Sequence, residues 1–214
     1  MDGCRIRFNF AEHSPGAIRT MSWSVVITNS IISGNVAGHD YGGIYIDDSR
    51  ETLIRNSDLS NNSALGKFSS RTADVRSMGC GSIGVFNCDN VVVENCTLNS
   101  NDAYNSGGGT CIILSDDVTI RNTLIHGNSA LIGGAGATIL GCDNVLLDSV
   151  QFENNVVEGD GGGLYVAAST SVVVSNSTFL HNVVGVGSGS ACHIVESDVR
   201  FEITVFDANE AIRG

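Results

Sequence analysis

Three aspartates stand at equal intervals in the middle of the chain. Asp89, Asp116 and Asp143 follow one another every 27 residues, and Asp117 is next to the second of them. If residues at this interval lie side by side on neighbouring parallel strands, their carboxylates are about 5 Å apart. Carboxylates that close repel one another, and raised pKa values or a bound cation would relieve the repulsion.

Calcium is the cation that suits such clustered oxygen ligands. The interval therefore predicts a Ca²⁺ site, the one cofactor that the sequence suggests, formed by Asp89, Asp116, Asp117 and Asp143. The alternative is that aspartate is a preferred first residue of a tight turn and recurs because the turn recurs. The interval alone does not separate the two explanations.

A catalytic site would need acids and bases gathered on one face of the protein. The aspartates meet the separation of about 5 to 9 Å that glycosidase carboxyl pairs require, but simple repetition produces that distance. No basic residue falls in a matching position except Arg50, one repeat before Asp89, and His193 is expected to point into the core. The pattern therefore favours a non-catalytic protein over an enzyme and identifies no catalytic residue.

A second candidate site is an insertion in an otherwise regular chain. It lies within residues 65–81 and carries Lys67, Phe68, Arg71 and Arg76. Long loops that leave a regular scaffold commonly carry recognition, so these four residues predict a binding loop. A spacer without a role is the alternative.

The insertion is recognised because the rest of the chain repeats itself. CDNVVVENCTLNSN, from Cys88 to Asn101, returns as CDNVLLDSVQFENN, from Cys142 to Asn155. The final asparagine has counterparts along the whole chain, and their intervals are 26, 27, 39, 27, 27, 27 and 27 residues. The series consists of Asn9, Asn35, Asn62, Asn101, Asn128, Asn155, Asn182 and Asn209. The long interval is one repeat plus 12 inserted residues, and the asparagines predict stacked side-chain amides at bends.

The other columns of the repeat predict short strands. Apolar residues occupy the positions ten, eight and three before each asparagine and alternate with variable neighbours, which is the period of a strand. Strands that recur every 27 residues pair with their own copies, and parallel crossovers are right-handed. The sequence therefore predicts an all-β, right-handed parallel β-helix of seven to eight coils, one domain over residues 1–214. A leucine-rich repeat has a similar period, but the helical stretch that it requires is missing from each unit.

Three copies of FxxN occur in phase with the glycine pairs of GGI and GGL. The copies begin at Phe152, Phe179 and Phe206, and the glycine pairs begin at Gly42 and Gly162. Together they resemble the repeats of chlamydial polymorphic outer membrane proteins and, more widely, the β-helix repeats of the pectin-lyase-like superfamily. The first resemblance implies a surface adhesin. The second implies, as the alternative, a fragment of a polysaccharide lyase, hydrolase or epimerase.

The net charge and the hydropathy of the chain limit the partners and the cellular locations that we expect. A net charge of −12 with a single lysine argues against a nucleic-acid partner, and no apolar run is long enough to span a membrane. MDGCRIRFNF, the first ten residues, does not resemble a secretory signal, and the chain begins and ends within a coil, so we expect a piece of a longer solenoid. We expect a monomeric rod from a secreted or cell-surface protein that binds a protein or a glycan.

The seven cysteines are expected to be buried thiols. Cysteines that share a column, such as Cys88 and Cys142, are two coils apart, which is about 10 Å and too far for a disulfide. No two cysteines of one column fall on adjacent coils. The sequence therefore predicts free thiols and not a disulfide framework.

Overall fold

A computed structural model describes residues 1–66 and 79–213 of the chain. In this part of the chain every regular element is a β-strand, and thirty short strands form four parallel sheets. Each coil passes in turn through sheets that we call B, C, D and A. The chain therefore forms the predicted right-handed parallel β-helix, and a leucine-rich repeat is excluded because the described residues contain no helix.

Sheets A and B lie on either side of one bend. The strands of sheet A are Ser24–Thr28, Glu51–Arg55, Asp89–Glu94, Asp116–Arg121, Asp143–Asp148, Thr170–Ser175 and Val199–Glu202. Those of sheet B are Arg5–Arg7, Ile31–Ser33, Asp58–Ser60, Thr97–Asn99, Leu124–His126, Gln151–Glu153, Thr178–Leu180 and Val205–Asp207.

Sheets C and D are joined by the glycine-rich bends. The strands of sheet C are Phe10–Ala11, Val36–Ala37, Ser63–Ala64, Asp102–Ala103, Ser129–Ala130, Val156–Val157, Val183–Val184 and Glu210–Ala211. Those of sheet D are Ile18–Thr20, Ile44–Asp47, Ile83–Phe86, Thr110–Ile113, Ala137–Leu140, Leu164–Ala167 and Cys192–Val195.

The core runs along the axis of the solenoid. Apolar residues of the three predicted columns point inward, as Val118, Ile54 and Leu59 show by being almost completely buried. In sheet B the rings of Phe152 and Phe179 stack at 4.6 Å between centroids, which extends the apolar column with planar side chains. The predicted inward columns are therefore confirmed.

A continuous ladder of asparagine side chains also lies in the core. Asn128 is buried, and its Nδ2 donates to Oδ1 of Asn155 at 3.0 Å and to the carbonyl oxygen of Leu98 at 3.0 Å. Oδ1 of Asn155 also accepts the backbone N–H of Asn128 at 3.0 Å. The residue with a left-handed backbone conformation is the one before the ladder asparagine, as at Asn154 with φ 52°. The asparagines of the ladder therefore use their side-chain amides for hydrogen bonding and do not themselves form the bend.

The insertion leaves the register of the coils intact. Ser63 pairs with Asp102 in sheet C, and Ile83 pairs with Ile44 in sheet D, as they would without inserted residues. The insertion therefore falls in sequence between a strand of sheet C and the next strand of sheet D.

One prediction for the seventh coil is wrong. His193 pairs with Tyr165, and the inward position beside Val166 belongs to Ile194. The bend before this strand holds one residue more than its counterparts, and the chain regains the common register at Val199, which pairs with Val172. Because successive side chains of a strand alternate between faces, this shift of one residue places His193 on the outer surface.

Candidate ligand-binding face

The outer face of sheet D carries aromatic, acidic and disulfide-bonded side chains that the repeat does not explain. Two columns of this sheet point outward. The first consists of Arg19, Tyr45, Gly84, Cys111, Thr138, Tyr165 and His193. The second consists of Asp47, Phe86, Ile113, Leu140, Ala167 and Val195. Over its middle, six of the described residues form an apolar cluster that is separate from the axial core. They are Tyr41, Tyr45, Cys80, Phe86, Cys111 and Ile113.

A disulfide joins Cys80 to Cys111 within this cluster, with 5.9 Å between the Cα atoms. The prediction of free thiols throughout is therefore wrong for these two residues. Column comparison missed the pair because Cys80 lies in the bend after the insertion and Cys111 in a strand of the next coil, so they never share a column. The bond attaches the end of the insertion to the outer face of sheet D.

The other five cysteines are free thiols: Cys88, Cys96 and Cys142 are buried as predicted, whereas Cys4 and Cys192 are half-buried. Burial raises the pKa of Cys88, Cys96 and Cys142 to about 11. Since the thiolate is the reactive form, these three side chains are packing residues of the core and not nucleophiles.

A pocket of about 200 Å³ opens at the amino-terminal end of the outer face. It is lined by Ser14, Pro15, Arg19, Asp40, Tyr41, Tyr45 and Asp47. The rings of Tyr41 and Tyr45 stack with 4.2 Å between their centroids, and the Arg19 guanidinium lies 5.7 Å from the Tyr45 ring centroid. We call this site the Asp47 pocket.

Asp47 contributes a buried carboxylate to this pocket. The residue is only 5% exposed, and its Oδ2 accepts a hydrogen bond from the Tyr45 hydroxyl at 3.1 Å. Its Oδ1 is buried and has no hydrogen-bond partner in the described part of the chain. A buried carboxylate oxygen without a donor is unfavourable, and a ligand that donates a hydrogen bond would correct this.

Asp40 is the second acid of the pocket. It is 8% exposed, and its Oδ2 lies 2.9 Å from Nδ1 of His39. The backbone N–H of Asp40 donates to the Ser14 hydroxyl oxygen at 3.0 Å, which joins the bends of the first two coils. Sequence reasoning missed both acids because Asp40 lies in a bend and Asp47 is the one acid in an outward column whose other members are apolar. The alternation in IYID, Ile44 to Asp47, was the available signal.

A smaller aromatic surface lies at the other end of the same face. The Tyr165 and His193 rings stack at 5.6 Å, and Oδ1 of Asp160 lies 3.6 Å from Nδ1 of His193. Burial and the charge of Asp160 raise the pKa of the Tyr165 hydroxyl. Aromatic rings and a carboxylate therefore occur together at both ends of the outer face of sheet D.

The aspartates of sheet A lie in register as expected. Asp116 pairs with both Asp89 and Asp143, so the three residues are neighbours on successive coils. One oxygen of each of two of them accepts a hydrogen bond between coils: Oδ1 of Asp116 accepts the N–H of Asp143 at 3.1 Å, and Oδ1 of Asp143 accepts from Thr170 Oγ1 at 2.6 Å.

The pKa of Asp143 changes in the direction opposite to the one that repulsion within the row of aspartates would produce. The hydrogen bond from Thr170 lowers the pKa of Asp143, whereas mutual repulsion would raise it. Asp117 is beside the row and accepts a hydrogen bond from the Asn144 amide. Within the described ranges, no three His, Cys, Asp or Glu side chains converge in an arrangement that could hold a metal ion. The calcium site stays a prediction.

The predicted binding loop cannot be placed on this face. Lys67, Phe68, Arg71 and Arg76 lie outside the described residues. The described residues also contain no helix long and apolar enough to cross a membrane.

Comparison with known proteins identifies the class to which this solenoid belongs. Residues 68–211 match the family described as right handed beta helix region, and the chain is a member of that family. Among solved structures, the chain is similar to a candidate glycosyl hydrolase from Parabacteroides merdae ATCC 43184, with 12% identity and a TM-score of 0.39 over 83% of this chain and 82% of that one. No curated protein matches the sequence significantly.

Proposed function

We propose that this chain is a non-catalytic β-helix scaffold of a secreted or cell-surface protein, and that the outer face of sheet D binds a glycan. The observation that carries the proposal is the Asp47 pocket, where stacked Tyr41 and Tyr45 rings lie beside a buried carboxylate oxygen that lacks a donor. Sugars present apolar ring faces to aromatic side chains and hydroxyl groups to carboxylates.

The disulfide supports the proposed location. Disulfides persist in oxidising compartments and are rare where thiols are kept reduced. The Cys80–Cys111 bond therefore favours a secreted or cell-surface protein. The resemblance of the FxxN repeats to chlamydial adhesins and to the pectin-lyase-like superfamily points the same way. We take the chain as a monomeric rod, and its net charge of −12 disfavours nucleic acid as a partner.

The alternative is a fragment of a carbohydrate-active enzyme. Asp40 and Asp47 line the same pocket, and paired carboxyl groups are the usual catalytic groups of glycoside hydrolases. Incubation with oligosaccharides followed by mass spectrometry separates the two functions. New shorter products that depend on Asp47 would favour the enzyme, and unchanged ligand that binds would favour the scaffold.

Calcium remains a proposed ligand of Asp89, Asp116, Asp117 and Asp143. If these residues hold it, millimolar calcium raises the melting temperature and Asp116→Asn abolishes the rise. Equal melting temperatures with calcium and with a chelator would leave the aspartates as turn residues.

Glycan binding is tested by calorimetry with soluble oligosaccharides and the Asp47→Asn variant. We expect the substitution to weaken binding at least about tenfold, since it removes a charged acceptor from the pocket. Asp207→Asn is the matched control because Asp207 is an exposed acid in sheet B, away from the pocket. Equal weakening by both variants, or binding by neither the parent nor the variants, would contradict the proposal.

A further inference from the structure

The charges of the Asp47 pocket restrict what can enter it. Among the described residues, two acids, Asp40 and Asp47, line the pocket with one basic residue, Arg19. The Arg19 side chain is exposed, and it takes part in none of the ion pairs within 4 Å that the described residues form. Within residues 1–66 and 79–213, no cation therefore pairs with the buried Asp47 oxygen.

We propose that this pocket binds a primary ammonium group, carried by an amino sugar of the glycan. The inference rests on the proposed function and specifies its ligand. An ammonium group supplies both the positive charge and the hydrogen-bond donors that Oδ1 of Asp47 lacks. The stacked rings of Tyr41 and Tyr45 are only 4% and 7% exposed, so the carboxylate of Asp47, and not an open aromatic surface, carries the recognition of the charge.

The size of the pocket agrees with one sugar residue. Its volume of about 200 Å³ is smaller than the roughly 300 Å³ at which pockets begin to hold drug-sized ligands. A longer oligosaccharide would place a single amino sugar here and continue along the outer face of sheet D, towards the Tyr165 and His193 rings.

Acidic sugars fit this pocket poorly. A uronate would place its carboxylate beside Asp40 and Asp47, and like charges close together in a buried site are unfavourable. Of the described lining residues, Arg19 alone could anchor such a ligand, so the two ligand types depend on different residues. Amino sugars need Asp47, and uronates need Arg19.

Calorimetry on the full chain compares three oligosaccharides of equal length: a glucosamine tetramer, the same tetramer N-acetylated on every residue, and a galacturonate tetramer. We expect the free amine to bind at least about tenfold more tightly than the acetylated form, since acetylation removes the charge. Asp47→Asn should remove this difference, whereas Asp207→Asn should keep it. The comparison of free with acetylated ligand uses the unaltered protein, so it does not depend on how a variant folds.

The outcomes separate this inference from the proposed function. Equal binding of the free and acetylated tetramers would overturn the ammonium site and leave glycan binding in place. A preference for galacturonate that Arg19→Gln abolishes would do the same. Binding of putrescine that requires Asp47, with no oligosaccharide bound, would support the ammonium site and overturn the glycan function. No binding of any probe would overturn both.

Discussion

Glu94 is the most completely buried acid of sheet A and lies between arginines of the two neighbouring coils. It is 4% exposed, bonds to Arg55, and accepts from Nε of Arg121 at 2.6 Å. Burial raises the pKa of Glu94, but the hydrogen bonds and charges of Arg121 and Arg55 outweigh it and hold the pKa below its usual range. The column formed by Arg55, Glu94 and Arg121 on three successive coils thus has a buried acid at its centre.

Because the pKa of Glu94 is lowered in the folded state, we expect the free energy of unfolding to depend on pH through this residue. A depressed folded-state pKa adds stability that is present above the unfolded pKa of about 4.3 and is lost as pH falls through the lower folded value. Glu94→Gln should therefore lower the free energy of unfolding by about 1 to 2 kcal/mol at pH 7, with a smaller difference from the parent below about pH 4. Urea denaturation at pH 7 and pH 3 measures this. Glu51→Gln, an exposed acid in the preceding coil, is the control; an unchanged gap across this pH range would contradict the prediction.

Ile203 is a residue whose type does not suit its backbone. It has φ 45° and is 83% exposed, whereas the equivalent position holds Asn176 and Asn122 in other coils. A β-branched residue is unfavourable at positive φ, and asparagine tolerates it. Ile203→Asn should raise the free energy of unfolding by about 1 kcal/mol in urea denaturation, and the converse change Asn122→Ile should lower it. Stabilisation by both changes would show that φ is not the cause.

At the scale of the elements, the disulfide joins a bend to a strand of the next coil. Cys80 and Cys111 are separated by 31 residues, and a bond closing such a loop stabilises a protein by about 3 to 4 kcal/mol in the chain-entropy model. A double variant, Cys80→Ser with Cys111→Ser, should melt at a lower temperature than the parent. Reducing agent should lower the melting temperature of the parent and leave that of the double variant unchanged; equal sensitivity of the two proteins would exclude the bond as the cause.

The bends between sheets C and D carry most of the features outside the repeat. Ser14 and Pro15 come from the first of them, Asp40 and Tyr41 from the second, and the insertion from the third. Since each bend is free to differ in length while the strands keep their pairing, new side chains are added there without disturbing the core.

At the scale of the whole molecule, the solenoid should tolerate removal of the insertion. Deleting residues 67–78 restores between Ala64 and Ile83 the spacing found between Ala37 and Ile44. We expect the free energy of unfolding in urea to stay within about 1 kcal/mol of the parent, because a shorter loop changes the closure entropy only slightly. An unfolded variant would mean that the insertion is part of the structural core.

The same deletion tests the binding role predicted for Lys67, Phe68, Arg71 and Arg76. A folded variant that loses glycan binding would assign recognition to the insertion. Unchanged binding by this variant, together with its loss in Asp47→Asn, would assign recognition to the pocket alone.

The amino-acid sequence by itself determined the parallel β-helix, its coil length and its inward columns. Parallel pairing between successive coils brings residues one repeat apart together, so a periodic pattern such as the asparagine series directly describes neighbours in space. The pairing of Asp116 with Asp89 and Asp143 followed from the same rule.

Only the tertiary structure decided which side chains come together outside the repeating columns. The Cys80–Cys111 bond, the outward position of His193 and the place of Asp40 in the pocket that Asp47 lines depend on the paths of individual bends, which no column describes. A bend that gains one residue turns the following side chains to the opposite face. The register of the strands follows from periodicity, whereas the candidate site follows from the bends, because hydrogen bonding between coils constrains the strands and leaves the bends free to vary.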